Sequence, residues 1–375
     1  MSLKIVCAGY LVRCPLGGVS WHHLQYLVGF DRLGHEVMFI EHFGWPRSCY
    51  NPAQQEMGSD PSYGIRYVSD LFARCGLKIK WSYFSEDGSV FGASKEEVED
   101  FCSDCDLYIN LSNVNSIAPS VSCRRRVLVD TDPVFTQIGA HGFGVDGYHV
   151  RFSYGELVHQ NGCSMPTANV RWIPTRQPVV LDLWTFTVGD VSAPYSTIIS
   201  WAPYPEKTYS GRIYGQKGRE FEPYFSLPRI AHEPMQIAAN APADVKSRLA
   251  LGGWGLVDPT VVARDCWAYQ SYIKSSRAEF CVAKHGYVVT HCGWFSDRTT
   301  SYLASGRPAV VQDTGFSRFL PCGKGLFPYR TREEAITAIK SLKRNYHEHS
   351  QSARRVVEEF FDARIILSRL LNASL

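Results

Sequence analysis

Short apolar runs alternate with helical patterns from the start of the chain. The run at residues 4–9 (KIVCAG) ends in glycine. The run at 36–41 (EVMFIE) follows a segment in which Leu24, Leu27 and Val28 recur at helical spacing. Uninterrupted apolar runs are typical of strands that are buried on both faces of a parallel sheet. The order strand, Gly-containing loop, helix, strand therefore predicts a βαβ unit at the beginning of the chain.

The same alternation continues along the chain and divides into two series. Further strands are predicted at residues 106–111, 126–129, 170–173, 196–201, 235–239, 278–282, 287–290 and 309–312, and closing helices at 333–343 and 353–371. The Pro-rich passage 174–194 separates the series and is typical of an interdomain linker.

These patterns predict an α/β fold with two Rossmann-like domains that face a cleft. We expect a first domain at residues 1–190, a second at 191–350, and a C-terminal helix at 351–375 that packs back on the first domain. Ligands of open α/β sheets bind outside the carboxyl ends of the strands, where most polar motifs of this chain fall.

Charge and hydropathy narrow the class of protein. The 375 residues carry a net charge of +3 with both signs interspersed, so we expect no nucleic-acid partner. No apolar run reaches the ~18 residues that a membrane helix needs. The first apolar run lacks the length and the cleavage site of a signal peptide. We therefore expect a cytoplasmic protein without a membrane span.

The positions of the twelve cysteines do not indicate a disulfide framework. Cys7 and Cys281 lie inside apolar runs, where small buried thiols are common. Cys102 and Cys105 form a single CxxC pair, but no second pair or His pair follows at zinc spacing. The sequence therefore predicts no bound metal.

The segment 287–314 carries the clearest chemistry. A polar turn at 293–296 opens a predicted helix that stops at the Gly-Arg-Pro turn 306–308. A helix N-terminus presents free N–H groups and a dipole that both favour phosphate. We interpret the segment as the diphosphate end of a nucleotide site. The alternative is an ordinary polar helix start with Ser296 as its N-cap. The candidate binding residues are His291, Gly293, Ser296, Asp297, Arg298, Thr299 and Thr300.

Two segments resemble GT-B type nucleotide-sugar glycosyltransferases. Residues 17–41 (GGVSWHHLQYLVGFDRLGHEVMFIE) are similar to that family's opening Gly-rich loop, helix and strand. Residues 290–296 (THCGWFS) resemble the THCGWNS core of the plant-type donor box, with Phe295 in place of Asn. The resemblance implies that His291 and Ser296 contact the donor diphosphate. It also implies that Asp313, with Gln312 and Thr314 beside it, contacts the sugar.

The chain departs from the family pattern at the ribose contact. The box's ribose-binding Glu falls on Thr299, which cannot accept from both ribose hydroxyls. This departure argues against the family's ordinary contact with the ribose of a UDP-sugar and is compatible with a deoxyribose donor such as a dTDP-sugar. The Gly-rich stretch 209–220 contains Lys217 and follows the first strand of the second half. It is interpreted either as a basic loop over the diphosphate or as a solvated hairpin.

Glycosyl transfer also needs a base that takes the proton of the acceptor hydroxyl. Asp130 and Asp132 follow a predicted strand, and the alternative role of either is to cap the turn before Pro133. His22 and His23 lie in the first helix after the loop residues Gly17 and Gly18. Neighbouring helical residues point in different directions, so only one of these His side chains can face the cleft.

The sequence therefore predicts a glycosyltransferase that moves a hexosyl or deoxysugar unit from a UDP- or dTDP-sugar to a small-molecule acceptor, as in natural-product biosynthesis. The nucleotide sugar is a co-substrate, no permanent cofactor is expected, and the absence of a retaining motif favours inverting chemistry. A nucleotide-sugar epimerase and a non-catalytic sugar-nucleotide-binding protein remain the alternatives.

Overall fold

Two parallel sheets organise the chain. The computed structural model describes residues 2–116, 122–139 and 142–375. The strands are β1 (Lys4–Ala8), β2 (Glu36–His42), β3 (Cys49–Asn51), β4 (Glu56–Gly58), β5 (Lys80–Phe84), β6 (Val90–Gly92), β7 (Cys105–Leu111), β8 (Cys123–Asp130), β9 (Val150–Ser153), β10 (Ile173–Pro174), β11 (Tyr195–Ser200), β12 (Lys207–Tyr209), β13 (Arg212–Tyr214), β14 (Met235–Asn240), β15 (Gly255–Val257), β16 (Ala278–Cys281), β17 (Ala309–Gln312) and β18 (Leu326–Tyr329).

Helices cover both faces of these sheets. They are α1 (Gly17–Arg32), α2 (Ser62–Arg74), α3 (Lys95–Ser103), α4 (Lys217–Phe221), α5 (Leu227–Ala231), α6 (Ala243–Leu251), α7 (Pro259–Val262), α8 (Cys266–Ser275), α9 (His285–Thr290), α10 (Asp297–Ala304), α11 (Arg332–Arg344), α12 (Tyr346–Phe360) and α13 (Ala363–Ser374). Among the helices of the described ranges, none has the length and apolar character to span a membrane.

The first sheet has the order β10-β9-β8-β7-β1-β2-β5-β6. β1 lies between β2 and β7, where Ile5 pairs in parallel with Val37 and with Leu107. Ile5, Val6 and Cys7 are completely buried. Burial on both faces explains why this strand is an unbroken apolar run in the sequence.

The second sheet has the order β15-β14-β11-β16-β17-β18, and its neighbouring strands pair in parallel. Its core contains the buried residues Tyr195, Ile237 and Phe280. The strand order reverses between β11 and β16, because the chain continues outward on one side of β11 first and on the other side afterwards. The carboxyl ends of these two strands therefore border a crevice. This is the position at which such sheets bind ligands.

The predicted strand at 287–290 is wrong, because these residues belong to helix α9. β16 pairs directly with β17, so no place in the sheet exists for a strand between them. Thr290 Oγ1 donates to the Gly286 carbonyl oxygen at 2.7 Å, as expected inside a helical turn. Two adjacent valines were too short a pattern to distinguish a strand from a helix.

The C-terminal segment differs from the single predicted helix at 353–371. α12 ends at Phe360, and Asp362 then caps α13 by accepting from the Arg364 N–H. α13 packs against α1, where a Cβ added to Gly29 would lie 2.3 Å from Leu367 Cδ1. The end of the chain therefore contacts its first helix. The domain boundaries near residues 190 and 350 stay predictions.

Candidate functional site

A cavity lies between the first turns of α1 and α10, which belong to opposite sheets. Its walls are formed by Gly18, Trp21, His22, Gln25, Tyr154, Gln177, Pro178, Tyr269, Asp297, Arg298, Thr300 and Ser301. A second cavity shares His22, Tyr154 and Asp297 and adds Tyr10, Thr131 and Trp294. Together they form the floor of the cleft between the two sheets.

The N-terminus of α10 opens onto this cavity. Ser296 is its N-cap by backbone conformation, but the Ser296 side chain makes no capping hydrogen bond. Asp297 is the exposed acidic residue of the first turn, and its Oδ1 accepts from the Arg298 N–H at 2.9 Å. The first-turn amides are therefore not occupied by Ser296 and can bind an anion.

The N-terminus of α1 approaches from the other side. The helix begins at Gly17, with Leu16 as its N-cap, and the Leu16 side chain makes no capping hydrogen bond. The Gly17 N–H donates to the Ala263 carbonyl oxygen at 2.8 Å, and a Cβ at Gly17 would lie 2.3 Å from the Asp265 carbonyl oxygen. Two helix dipoles thus direct positive ends at one cavity.

His22 and His23 point to different environments. His23 is locked in the core, because its Nε2 accepts from the Tyr10 N–H at 3.2 Å and its Nδ1 lies 2.8 Å from the Val19 carbonyl oxygen. His22 lines both cavities, and its buried Nε2 has no hydrogen-bond partner among the described residues. Burial lowers the pKa of His22 to about 4, so its imidazole is neutral near pH 7.

Asp130 is a structural carboxylate. Its oxygens accept from Gln137 Nε2 and Ser153 Oγ, both at 2.7 Å, and from the Asp132 N–H at 3.0 Å. It is completely buried, and burial raises its pKa. Asp130 therefore shapes the turn that positions Asp132 and does not itself reach the cavity wall.

Asp132 binds residues of the opposite half of the chain. Its carboxylate accepts from Lys284 Nζ at 2.7 Å, from the Tyr204 hydroxyl at 2.5 Å and from the Tyr287 hydroxyl. Burial lowers the pKa of Lys284. We name Asp132, Tyr204, Lys284 and Tyr287 the Asp132 cluster. These bonds connect the two sheets across the cleft. Asp132 therefore helps to hold the cleft closed in this structure.

Lys217 begins α4 beside the N-terminus of α10. Burial lowers its pKa to about 8, and the neighbouring positive charge of Arg298 contributes to the same shift. The negative charge of Asp297, in the first turn of α10, acts in the opposite direction. Within the described ranges, Lys217 is a cation without an ion pair, as a phosphate-binding group requires before its ligand arrives.

Arg298 is placed differently from the prediction. Its guanidinium forms a buried ion pair with Glu279 at 2.6 Å and donates to the Ile198 carbonyl oxygen at 2.5 Å and to Cys281 Sγ at 3.0 Å. A buried carboxylate such as Glu279 requires a partner, and Arg298 supplies it. Arg298 lines the cavity although its guanidinium is engaged with Glu279, and its predicted contact with the donor stays a prediction.

Asp313 also lies away from the cavity. Its carboxylate accepts from the Gly315 N–H at 2.9 Å, from Ser317 Oγ at 2.7 Å and from Arg330 at 2.8 Å. Asp313, Ser317 and Arg330 border a separate pocket together with Tyr329. The structure does not bring Asp313 to the lining of the cleft cavity, because the carboxylate is used to fold its own loop.

The other residues of the donor box mainly shape the loop. His291 is an exposed C-cap of α9 with a φ of 49°, and it is not among the residues that line the cavity of the described chain. Gly293 donates its N–H to the Thr314 carbonyl oxygen at 2.9 Å, and Thr314 Oγ1 donates to the Trp294 carbonyl oxygen at 2.5 Å. Thr299 is completely buried.

The sequence pattern also pointed to Tyr154 and Gln177 as residues near the linker that could line the cleft, and both border the cavity. Lys284 was not predicted. It follows β16, at the carboxyl end of a strand that was correctly predicted, and this position was an available signal. Trp294, in the polar turn before α10, stacks on Tyr287 with ring centroids 4.4 Å apart.

Comparison with known proteins gives a likeness in structure. No family model matches, and no curated protein is similar in sequence. A solved alpha-glucosyltransferase in complex with UDP and a DNA 13-mer containing a HMU base matches with a TM-score of 0.60 and 12% identity over 99% of both chains. The Anabaena protein HepE in complex with UDP-glucose matches with a TM-score of 0.55 and 10% identity over 99% of both chains.

A glycosyltransferase from Rickettsia africae matches with a TM-score of 0.50 and 11% identity, over 100% of this chain and 98% of the other. At these identities the likeness establishes the fold. The chain has the GT-B fold, with two Rossmann-like domains and a cleft between them.

Proposed function

We propose that this chain is a glycosyltransferase that moves a sugar from a UDP-sugar to an acceptor hydroxyl in the cleft. The observation that carries the proposal is the meeting of the α1 and α10 N-termini at one cavity. The two helix dipoles, together with the Lys217 ammonium that interacts electrostatically with Asp297 and Arg298, match the charge of a diphosphate. Two of the structural neighbours named above, the alpha-glucosyltransferase and HepE, were solved with UDP or UDP-glucose, which supports UDP as the nucleotide.

Stabilisation of the leaving group follows from this placement. As the bond from the sugar to the diphosphate breaks, negative charge grows on the terminal phosphate oxygen. Donors already aimed at that position stabilise the transition state more than the ground state. We infer that the α1 and α10 amides and Lys217 supply this stabilisation, so that activity persists after treatment with a chelator of divalent cations.

His22 is the candidate base. Its Nε2 is buried at the cavity wall without a described partner, and its imidazole is neutral near pH 7. We propose that this nitrogen takes the proton from the acceptor hydroxyl as the hydroxyl attacks the sugar carbon. A single displacement of this kind inverts the configuration of that carbon. Retention of configuration would exclude this role for His22.

The acceptor is proposed to enter beside the aromatic wall. Tyr10, Tyr154 and Trp294 border the second cavity, and these rings suit a small molecule with an apolar face. One structural neighbour was solved in complex with DNA that contains a HMU base. Modified DNA therefore belongs in the acceptor panel, and its glycosylation would contradict the small-molecule assignment.

The experiment is an incubation of the purified chain with UDP- and dTDP-sugars and an acceptor panel, followed by mass spectrometry. We expect a glycosylated acceptor and an equal amount of free UDP. Conversion of the donor into an isomeric nucleotide sugar would instead show an epimerase. If no nucleotide raises the melting temperature, the donor site is wrong, because a ligand at a hundred times its Kd adds about 2.7 kcal/mol.

A further inference from the structure

Two cysteines face each other at the end of the first sheet that lies opposite the cleft. Cys105 is the first residue of β7, Cys123 is the first residue of β8, and the parallel register pairs them directly. The cleft lies at the carboxyl ends of the same strands. This pair is therefore remote from the candidate donor site, and the CxxC spacing of Cys102 and Cys105 did not predict it.

The geometry suits a disulfide. Neighbouring strands lie about 4.8 Å apart, and paired residues project from the same face of a sheet. Disulfides span Cα–Cα distances of about 4.4–6.8 Å. The two side chains interact, because the Cys105 thiol is the main cause that lowers the pKa of Cys123. All described cysteines are reduced, so the pair exists as two thiols in this structure.

The two thiols are not equivalent. Cys123 is partly exposed, and Arg126 adds to the lowering of its pKa, which favours its thiolate. Cys105 is only 2% exposed, and its pKa is raised by the same interaction with Cys123, by burial and by the charge of Asp106. Cys123 is thus the accessible nucleophile, with the second thiol beside it.

The other partly buried cysteines lack this activation. Burial raises the pKa of Cys14 to about 12, and it also raises the pKa of Cys75 and Cys163. Cys102 on α3 is buried, and burial raises its pKa to about 11. Of the described cysteines with a resolved shift, Cys123 alone has a lowered pKa.

We propose that Cys105 and Cys123 form an oxidisable dithiol that closes to a disulfide with a peroxide as oxidant. The Cys123 thiolate attacks one peroxide oxygen, the O–O bond breaks, and one water leaves after proton uptake. The resulting sulfenic acid is attacked by the Cys105 sulfur, the S–S bond forms, the S–O bond breaks and a second water leaves. Two thiols lose two electrons, and the peroxide gains them.

Closure would constrain the segment that connects β7 with β8. That segment reaches the cleft edge, where Ser112 Oγ lies 2.7 Å from Thr131 Oγ1 and Asn115 Nδ2 donates to the Gly9 carbonyl oxygen at 2.7 Å. A cross-link between residues 105 and 123 closes a loop that contains β7 and this connection. It should raise the melting temperature under non-reducing conditions.

The test uses the full chain, fully reduced and then treated with one equivalent of hydrogen peroxide. Free thiols are alkylated, and the digest is mapped by mass spectrometry. We expect a linked Cys105–Cys123 peptide as the main product, in the wild type and in the control Cys322→Ser, which lacks the exposed cysteine. In Cys105→Ser, a sulfenic acid should accumulate on Cys123.

A second measurement uses only the wild-type chain, so it does not depend on whether a variant folds. In the native wild-type chain at neutral pH, iodoacetamide should modify Cys123 at least tenfold faster than Cys75 or Cys163. Equal rates, or a peroxide-treated chain in which Cys105 and Cys123 both remain alkylatable, would overturn the proposal. So would a linkage of Cys102 to Cys105 as the main product. The outcome is independent of the proposed sugar transfer.

Discussion

Two neighbouring histidines of α1 have different surroundings, one in the core and one at the cavity. His23 fills the space above Gly9, where an added Cβ would lie 2.3 Å from the His23 Nε2 atom. His22 has its Nε2 at the cavity instead. The sequence showed that only one of the two can face the cleft. It could not show which one, because the choice depends on the partners of β1 and β2.

Substitution of His22 tests its role as the base. We expect His22→Gln to lower kcat by about 10²–10⁴ while the Kd for UDP changes little, because the proposed phosphate contacts come from other groups. His347→Gln, at an exposed position of α12, is the matched control. A His22→Gln enzyme with wild-type kcat would show that the base lies elsewhere.

The pH profile of the same reaction gives an independent measurement. The folded-state pKa of His22 is depressed to about 4, so the imidazole stays neutral throughout the range above pH 5. We expect the limb of kcat/KM that His22 controls to be flat from pH 6 to 8 and to fall only as the pH drops toward 4. A loss centred near pH 6.5 would indicate an exposed, ordinary histidine instead.

Lys217 is the corresponding test of the donor site. Its ammonium is expected to contact the diphosphate, so Lys217→Ala should weaken UDP binding about 10–100-fold, the loss of a charge-assisted contact worth roughly 1.5–3 kcal/mol. Lys340→Ala on the exposed face of α11 is the control. Isothermal titration with UDP measures both, and equal affinities would remove Lys217 from the site.

At the scale of elements, two adjacent glycines of α1, Gly17 and Gly18, have different structural roles. An added Cβ at Gly17 would lie 2.3 Å from the backbone oxygen of Asp265, which cannot move aside as a flexible side chain can. At Gly18, an added Cβ meets the Tyr269 ring at 3.4 Å, an ordinary contact. Gly17 therefore permits the close approach of α1 to α8, whereas Gly18 borders the cavity.

This difference predicts opposite behaviour for two otherwise identical substitutions. Gly17→Ala should destabilise the chain by about 1–3 kcal/mol, because the clash exceeds the gain in helix propensity. Gly18→Ala should leave the free energy of unfolding nearly unchanged or slightly higher. Urea unfolding followed by fluorescence measures both. Equal stabilities would show that α1 and α8 do not approach each other as described.

The strands and helices also show which elements hydrophobic periodicity can predict and which it cannot. β1, β2, β11 and β17 were predicted nearly to their ends because long apolar runs between glycines and helices have few alternatives. The segment 287–290 was misassigned because its two adjacent valines fit the hydrophobic period of a strand and that of a helix equally well. α9 displaces His291 from the position that the donor box suggested. The local motif therefore predicted the helix start at Asp297 correctly, whereas the contact of His291 with the diphosphate stays a prediction.

For the whole molecule, the closed cleft is the feature that the sequence could not give. The pairing of Asp132 with Lys284 joins residues 152 positions apart, and Lys207 Nζ donates to the Gly139 carbonyl oxygen at 2.7 Å from the β12–β13 hairpin. Such contacts depend on how two sheets face each other. Composition and periodicity contain no information on that arrangement, whereas strand order at least follows from the βαβ rule.

The Asp132 cluster predicts a measurable change in closure. Lys284→Met removes the cation and leaves the Asp132 carboxylate in a site with little access to water, a situation that costs about 3–5 kcal/mol when a buried pair is broken. Opening of the cleft hydrates the carboxylate and relieves this cost. We therefore expect the radius of gyration from small-angle X-ray scattering to increase in Lys284→Met without ligand, and to decrease again with saturating UDP.

The double variant Asp132→Asn/Lys284→Met removes both charges and should return toward the wild-type radius, because no uncompensated charge remains to be hydrated. Lys324→Ala breaks an exposed ion pair with Glu348 and serves as the control for loss of a lysine. If Lys284→Met scatters like the wild type, the Asp132 cluster does not hold the cleft closed. In that case the helix contacts of α1 with α8, and not the buried charges, determine how the two domains meet.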